Sequence, residues 1–389
     1  GAVSTFAGTG SIGSTDATGI AASFNYPTGI AMDASGNFYI GDGNNHKIRK
    51  ITPTGTVTTL AGSGAAGSTN ATGAAATFNS PQGLVADASG NIYLADANNH
   101  RIRKITPAGV VTTLAGSTQG FTDGTGVAAR FNTPHAVAID SSGNIYVADR
   151  NNHRIRKITP AGAVTTLAGS GVAGSANATG TAASFNLPYG ICVEASTGIV
   201  YVSDYNNHKI RKITPAGVVT ALAGSGTAGS ANGNGTAASF NLPIGITLDT
   251  AGNLYVADAG NNKIRKITSA GDVTTIAGSG TASGIDGTGI YATFNYPNQL
   301  VAAANGNLFI ADFSNHKIRK IAPFAIDTVK VCPSANVTLS GSGAISYNWS
   351  GPQSISDATA FSAKLSGIYT ITATGSNTCT NTKSVFVQL

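Results

Sequence analysis

Apolar residues along this chain fall into short runs separated by turn-forming residues, and no helical period of apolar positions holds over any useful length. The first clear unit shows the arrangement. Strand-like runs occupy 29–33, 37–41, 47–52 and 56–61, with turns at 34–37, 43–45 and 53–55 built from Gly, Asn, Ser and Pro. Those residues tolerate a positive φ or preset a turn. The second run, Phe38-Tyr39-Ile40, is almost wholly apolar, as a strand sandwiched between neighbouring sheets should be. In the third run Ile48 and Ile51 are apolar, whereas Lys47, Arg49 and Lys50 are expected to reach water.

The unit recurs. The segment that begins Asp42-Gly-Asn-Asn-His-Lys-Ile-Arg-Lys returns at Asp96, Asp149, Asp204, Asp258 and Asp312. A Phe-Asn-x-Pro element keeps step, with prolines at 27, 81, 134, 188, 243 and 297, and so does a Val-Thr-Thr-Leu-Ala-Gly element at 57–62, 111–116 and 164–169. Repetition at a fixed period is the mark of a repeat architecture. Four short antiparallel strands per unit, in a unit longer than the roughly 20–45 residues of solenoid repeats, describe the blades of a propeller.

The two ends of the repeat region predict how the ring closes. Residues 1–8 match 55–62 and read as a fourth strand with no first three before it, while the sixth unit lacks a fourth strand after Ile321. The first strand is therefore expected to complete the last blade, which removes an open sheet edge. The expected fold is all-β: a six-bladed β-propeller over residues 1–323, closed by the N-terminal strand, and a small C-terminal β-sandwich over 324–389.

Composition narrows the function classes. Only 10% of residues are charged, against about 25% in ordinary domains. The net charge of +6 is thinly spread and reads as solubility. No run of 18 apolar residues occurs, so no membrane-spanning helix and no membrane insertion are expected. The chain starts at Gly1 and reads as a mature or excised fragment, part of a longer multi-module protein whose export signal is not in view. Three cysteines, Cys192, Cys332 and Cys379, are too few for a disulfide scaffold and have no metal-binding spacing.

The Asn-His step followed by an aliphatic run, after Tyr-Val-Ala-Asp and before Pro-x-Gly, resembles the NHL repeat family across residues 1–323. The resemblance implies a six-bladed propeller. It leaves function open, because propellers of this family bind proteins, RNA and glycans, and a few relatives are lyases or hydrolases. Residues 326–389 are similar to the small immunoglobulin-like or PKD-like modules of exported bacterial surface proteins, on the strength of Val-Cys-Pro at 331–333, Tyr-Asn-Trp-Ser at 347–350 and the run at 366–374. In such a module Trp349 would be the core aromatic. Cys332 and Cys379 would pair in a disulfide, with Cys192 free.

Several regular constellations read as scaffold. His46, His100, His153, His208 and His316 occupy one place on five of the six blades, and Asn262 takes it in the fifth unit, so the slot calls for a polar hydrogen-bonding side chain rather than a metal ligand; the resemblance to the NHL family implies that this bonding stays within the blade. The basic Lys-Ile-Arg-Lys stripes lack interleaved aromatic platforms, and nucleic acid is not an expected partner. The arginine of each stripe is expected to pair with the aspartate that ends the second strand. Asp123 and Asp286 sit in Asp-Gly-Thr-Gly loops, each offering one carboxylate, too few for calcium. No metal and no cofactor are expected.

The positions that break the repeat carry the functional expectation. The slot after the proline reads Thr28, Gln82, His135, Tyr189, Ile244 and Asn298, and the slot after the aspartate reads Gly43, Ala97, Arg150, Tyr205, Ala259 and Phe313. Both belong to one loop-bearing face near the axis, where a propeller places its function. His135 and Arg150 of the third unit and Tyr189 and Tyr205 of the fourth should cluster, with Gln82 and Asn298 at the axis, to bind a glycan or a protein loop. Phe121 and Arg130 distinguish the third return loop. No catalytic set is visible: His135 alone is of a metal-ligand type, whereas amidating lyases related to this family bring several histidines to the axis. The expectation is a secreted or cell-surface binding or adhesion module rather than an enzyme. The alternatives are a propeller lyase or hydrolase with an axial metal, and a structural spacer in a large repetitive surface protein.

Overall fold

The structure, a computed structural model, describes residues 1–323 in full and, beyond them, the backbone of four strands, Asp327–Lys330, Ser346–Ser350, Gly367–Thr374 and Thr380–Gln388. The chain divides into two compact units, Gly1–Pro323 and Phe324–Leu389.

The first unit is a six-bladed propeller. Blade 1 runs from its inner strand Pro27–Met32 through Phe38–Asp42 and Lys47–Ile51 to the outer Val57–Ala61, each antiparallel to the next. Blades 2 to 5 repeat this order, and inner strands of neighbouring blades touch all the way round, including Pro297–Ala302 of blade 6 against Pro27–Met32 of blade 1. Closure follows the sequence expectation. Strand Ala2–Ala7 pairs with Lys317–Ile321 as the outer strand of blade 6. Val3 is buried, and the Phe6 ring meets Phe38 and Phe309 edge-on, with centroids 5.4 and 5.1 Å away.

The core lies between blades, in six apolar clusters that each join the facing sheets of neighbours. The inner strands approach one another closely, which is why Pro-x-Gly opens most of them: a Cβ at Gly190 would overlap the Ile244 carbonyl oxygen, and one at Gly29 the Gln82 carbonyl. Ala136 and Gln299 take the glycine place in blades 3 and 6.

Two expectations need correction. Arg49 and its equivalents Arg103, Arg156, Arg211, Arg265 and Arg319 do not reach water but are fully buried. Each does pair, as expected, with the second-strand aspartate of its blade, as in Arg49 to Asp42 at 2.7 Å and Arg211 to Asp204 at 2.6 Å, and lies over a Phe-Asn phenylalanine. Burial of so large a cation is tolerated because backbone carbonyls and the return loop take further donors: Arg49 also meets Ser23 O, Thr15 O and Asp16, whereas in the other five Nε stays unpartnered. Asp123 and Asp286 are spent in the same way, on Arg156 and Arg319. The repeated histidine, in turn, does not bond within its own blade. His46 Nδ1 accepts the Ser80 amide at 3.1 Å, and Asn262 Oδ1 accepts that of Tyr296 at 2.8 Å, so the slot tethers each blade to the next.

In the second unit the four described strands form one sheet. Asp327–Lys330 runs parallel to Thr380–Gln388, which pairs antiparallel with Gly367–Thr374, and that strand with Ser346–Ser350 in a register that sets Trp349 opposite Ile371. The rest of the expected sandwich and the expected Cys332–Cys379 bond fall on residues outside the described ones.

Candidate functional site

Three slots per blade converge on the loop-bearing face. The turn after each second strand is a single 3-10 turn, Gly43–Asn45 in blade 1 and Arg150–Asn152 in blade 3, closed by a residue in the left-handed region, His46 at φ 52° and His153 at φ 52°. The aspartate fixes this turn. Asp149 Oδ1 accepts the Asn132 amide, and its Oδ2 accepts Asn152 and Arg156. Burial pushes its carboxyl up to about 6 against the pull of those donors. With the scaffold held this firmly, the first turn residue (Arg150, Tyr205, Phe313) is free to vary.

The second slot follows the proline. The third precedes it: Tyr26, Ser80, Thr133, Leu187, Leu242 and Tyr296 all have φ between 51° and 56°. Such a conformation costs a non-glycine residue about 1 kcal/mol or more. It is held here by the interblade amide bond to the histidine or asparagine slot.

A cavity of about 220 Å³ opens where the slots meet. Of the residues anticipated from sequence, Gln82, His135, Arg150, Tyr189 and Asn298 line it. Tyr205 stands behind Tyr189, stacked on it at 4.3 Å. The His135 ring lies 4.0 Å from Tyr189, and the Arg150 guanidinium 4.5 Å from the same ring. The cluster expected between blades 3 and 4 is thus assembled.

The site extends beyond that sector. Tyr205 and Tyr296 share a phenol hydrogen bond of 2.6 Å that links blade 4 to blade 6. Tyr296 continues to Phe313 at 6.2 Å, and Phe313 to Tyr26 at 4.7 Å. Phe313 thus belongs to an aromatic arc from blade 3 to blade 1. Hydroxyl and amide groups of Ser80, Gln82, Asn98 and Thr133 fill the other side. Ser80, Thr133 and Tyr296 were missed because the x of Phe-Asn-x-Pro reads as scaffold filler; its mixture of residue types was the available signal. Phe121 and Arg130 are exposed and do not line the cavity; Phe121 instead lies under Arg154.

No aspartate or glutamate lines the cavity, and His135 is its one imidazole. Burial and the Arg150 charge push His135 down to about 3, so it is neutral at physiological pH. His135 Nδ1, Asn298 Oδ1 and Arg150 Nε are buried without a hydrogen-bond partner. Further along the axis a second cavity of about 210 Å³ is walled by the inner strands, with Leu84, Ile191 and Leu300 beside Gln299 and Cys192. Burial pushes the Cys192 thiol far up and makes it unreactive. No group of three His, Cys, Asp or Glu able to hold a metal occurs among the described residues.

Comparison with known proteins agrees with this architecture. The NHL repeat profile matches residues 24–51, 78–105, 131–158, 185–213 and 240–267. NHL repeat-containing protein 2 of Bos taurus is 31% identical over 348 residues, covering 79% of this chain and 48% of that protein. The chain spans about half the length, or less, of such curated relatives. Among solved structures, a structural genomics protein of unknown function from Bacteroides thetaiotaomicron superposes with a TM-score of 0.66 at 25% identity, over 82% of this chain and 75% of that one. An auxiliary nutrient binding protein from Bacteroides ovatus superposes with a TM-score of 0.63 at 18% identity, over 83% and 76%, a likeness of fold alone.

Proposed function

Starting from a six-bladed propeller built of NHL repeats, we propose that the chain is a binding module whose ligand enters the axial cavity of the loop-bearing face. One observation carries the reading. On a repetitive scaffold, eight of the twelve residues that vary in the slots after the proline and after the aspartate line a single cavity, and His135 Nδ1, Asn298 Oδ1 and Arg150 Nε are left unpartnered there. Orphaned polar groups cost stability, and a ligand that satisfies them gains what the free protein lacks. The nutrient-binding neighbour from Bacteroides ovatus supports a ligand-binding propeller.

The ligand class we favour is a glycan. Aromatic rings on one side of the cavity and amides and hydroxyls on the other suit a sugar ring, which has an apolar face and a hydroxyl edge. The reading includes no catalytic step; His135 is the one imidazole in the cavity, and no aspartate or glutamate lines it. A glycan-binding module of this kind belongs outside the cell or on its surface, with the C-terminal unit as an immunoglobulin-like connector.

The test is a glycan array and a pull-down with the propeller, followed by the Tyr189→Ala, Tyr205→Ala double variant. Removing two stacked anchors should weaken binding by roughly 2 kcal/mol or more, about thirtyfold. Unchanged affinity in a folded double variant would remove the cavity from the account.

A further inference from the structure

Arg150 is the one charged residue in its slot; the equivalents are Gly43, Ala97, Tyr205, Ala259 and Phe313. It also differs from the other arginines that are shielded from solvent. The six third-strand arginines each hold a carboxylate, and the flanking Asp149 is already occupied by Arg156, Asn152 and the Asn132 amide. Arg101 and Arg154 have no carboxylate either, but they donate to the Ser68 and Ser170 carbonyls. Arg150 is half-buried at the cavity wall, and among the described residues no carboxylate forms an ion pair with it; its unpartnered Nε it shares with Arg101 and five of the third-strand arginines. The Tyr189 ring, 4.5 Å away, stabilises this cation in part, but it supplies no negative charge, so the guanidinium is left able to pair with a carboxylate from a ligand.

What can supply it is limited by the rest of the wall. Asn298, buried to 4% exposure with Oδ1 unpartnered, faces the same cavity, and so does neutral His135. A cavity of about 220 Å³ lies below the roughly 300–1,000 Å³ of drug-sized sites and accepts one ring rather than a chain. Guanidinium is matched to carboxylate by its planar fork of donors.

We infer that the cavity selects an acidic sugar, a terminal uronate-type residue whose carboxylate pairs with Arg150 while its ring packs among the aromatic side chains. The inference rests on the binding role proposed above and adds the charge of the ligand.

The experiment uses calorimetric titration of the full chain with three uronate-terminated trisaccharides, of the glucuronate, galacturonate and mannuronate types. Their carboxyl-reduced neutral counterparts and a short acidic peptide serve as comparisons. At least one uronate should bind tenfold or more tighter than its reduced counterpart. Arg150→Gln should abolish that difference, Arg150→Lys should restore part of it, and Arg130→Gln, exposed in a return loop and outside the cavity lining, should leave it intact. Equal binding of acid and neutral forms, or an Arg150→Gln protein that still prefers the acid, overturns the inference while leaving a glycan-binding propeller standing. Binding of the peptide alone overturns the sugar assignment. Absence of binding by every probe, on an array as well, counts against both readings.

Discussion

Removing residues 1–8 tests the closure on which the whole ring depends. The deletion strips blade 6 of its outer strand and leaves Lys317–Ile321 as an open edge. It uncovers the pocket that buries Val3 at 3% exposure and Ala7 at 0%, and it removes the Phe6 ring from between Phe38 and Phe309. Re-exposing the surroundings of a valine and a phenylalanine costs roughly 3–6 kcal/mol. Backbone bonds go as well, among them Ala322 N to Ala2 O at 2.8 Å and Gly289 N to Gly1 O at 2.9 Å, and Asp286 loses Thr5 as a donor. Against a net stability of about 5–15 kcal/mol this is a large fraction. It should lower the melting temperature by on the order of 10 °C at the few degrees per kcal/mol expected of a large domain. The exposed edge should also promote association. Calorimetry and size-exclusion chromatography read both effects, and a synthetic peptide of residues 1–8 added in excess should reverse them. A truncated protein that stays monomeric and melts where the parent does would show that the ring does not depend on this strand.

Two further outcomes follow from buried charge. Arg211→Ala leaves Asp204 buried without its partner and frees the Ser184 and Ala176 carbonyls, which should cost about 3–5 kcal/mol in urea unfolding; a loss under 1 kcal/mol would mean the pair is not shielded as described. His135 is neutral in the fold down to about pH 3 but takes up a proton on unfolding below about 6.5, so stability should fall as the pH drops through that window, by up to roughly 5 kcal/mol from this residue alone. His135→Asn should flatten the profile by nearly one proton, and an unaltered slope would refute the burial of that imidazole.

The fold was legible because it is written six times. Asp-x-Asn-Asn-His, with variants in blades 5 and 6, and Phe-Asn-x-Pro mark the same turns in successive blades, and residues 1–8 match 55–62. What was not legible is how one blade meets the next. The histidine slot reads as local hydrogen bonding, yet its acceptor serves the following blade, a relation that strand periodicity does not express. Arg49 read as water-facing because a cation in a strand usually is, and only the three-dimensional meeting of Asp42, Asp16 and two carbonyls makes its burial tolerable. Half of the candidate site was visible as departures from the repeat. The Tyr205–Tyr296 contact was not, because 91 residues separate the two and a ring must close before they meet.

The most direct measurement is a crystal structure of the propeller with the tightest-binding saccharide found in the screen. The account predicts one sugar ring in the axial cavity, within hydrogen-bonding distance of Arg150 and Asn298 and packed against Tyr189 or Tyr296. A ligand seated on the outer rim by Ile20 and Tyr291, or at the Gln299 cavity along the axis, with no sugar beside Arg150, would contradict it.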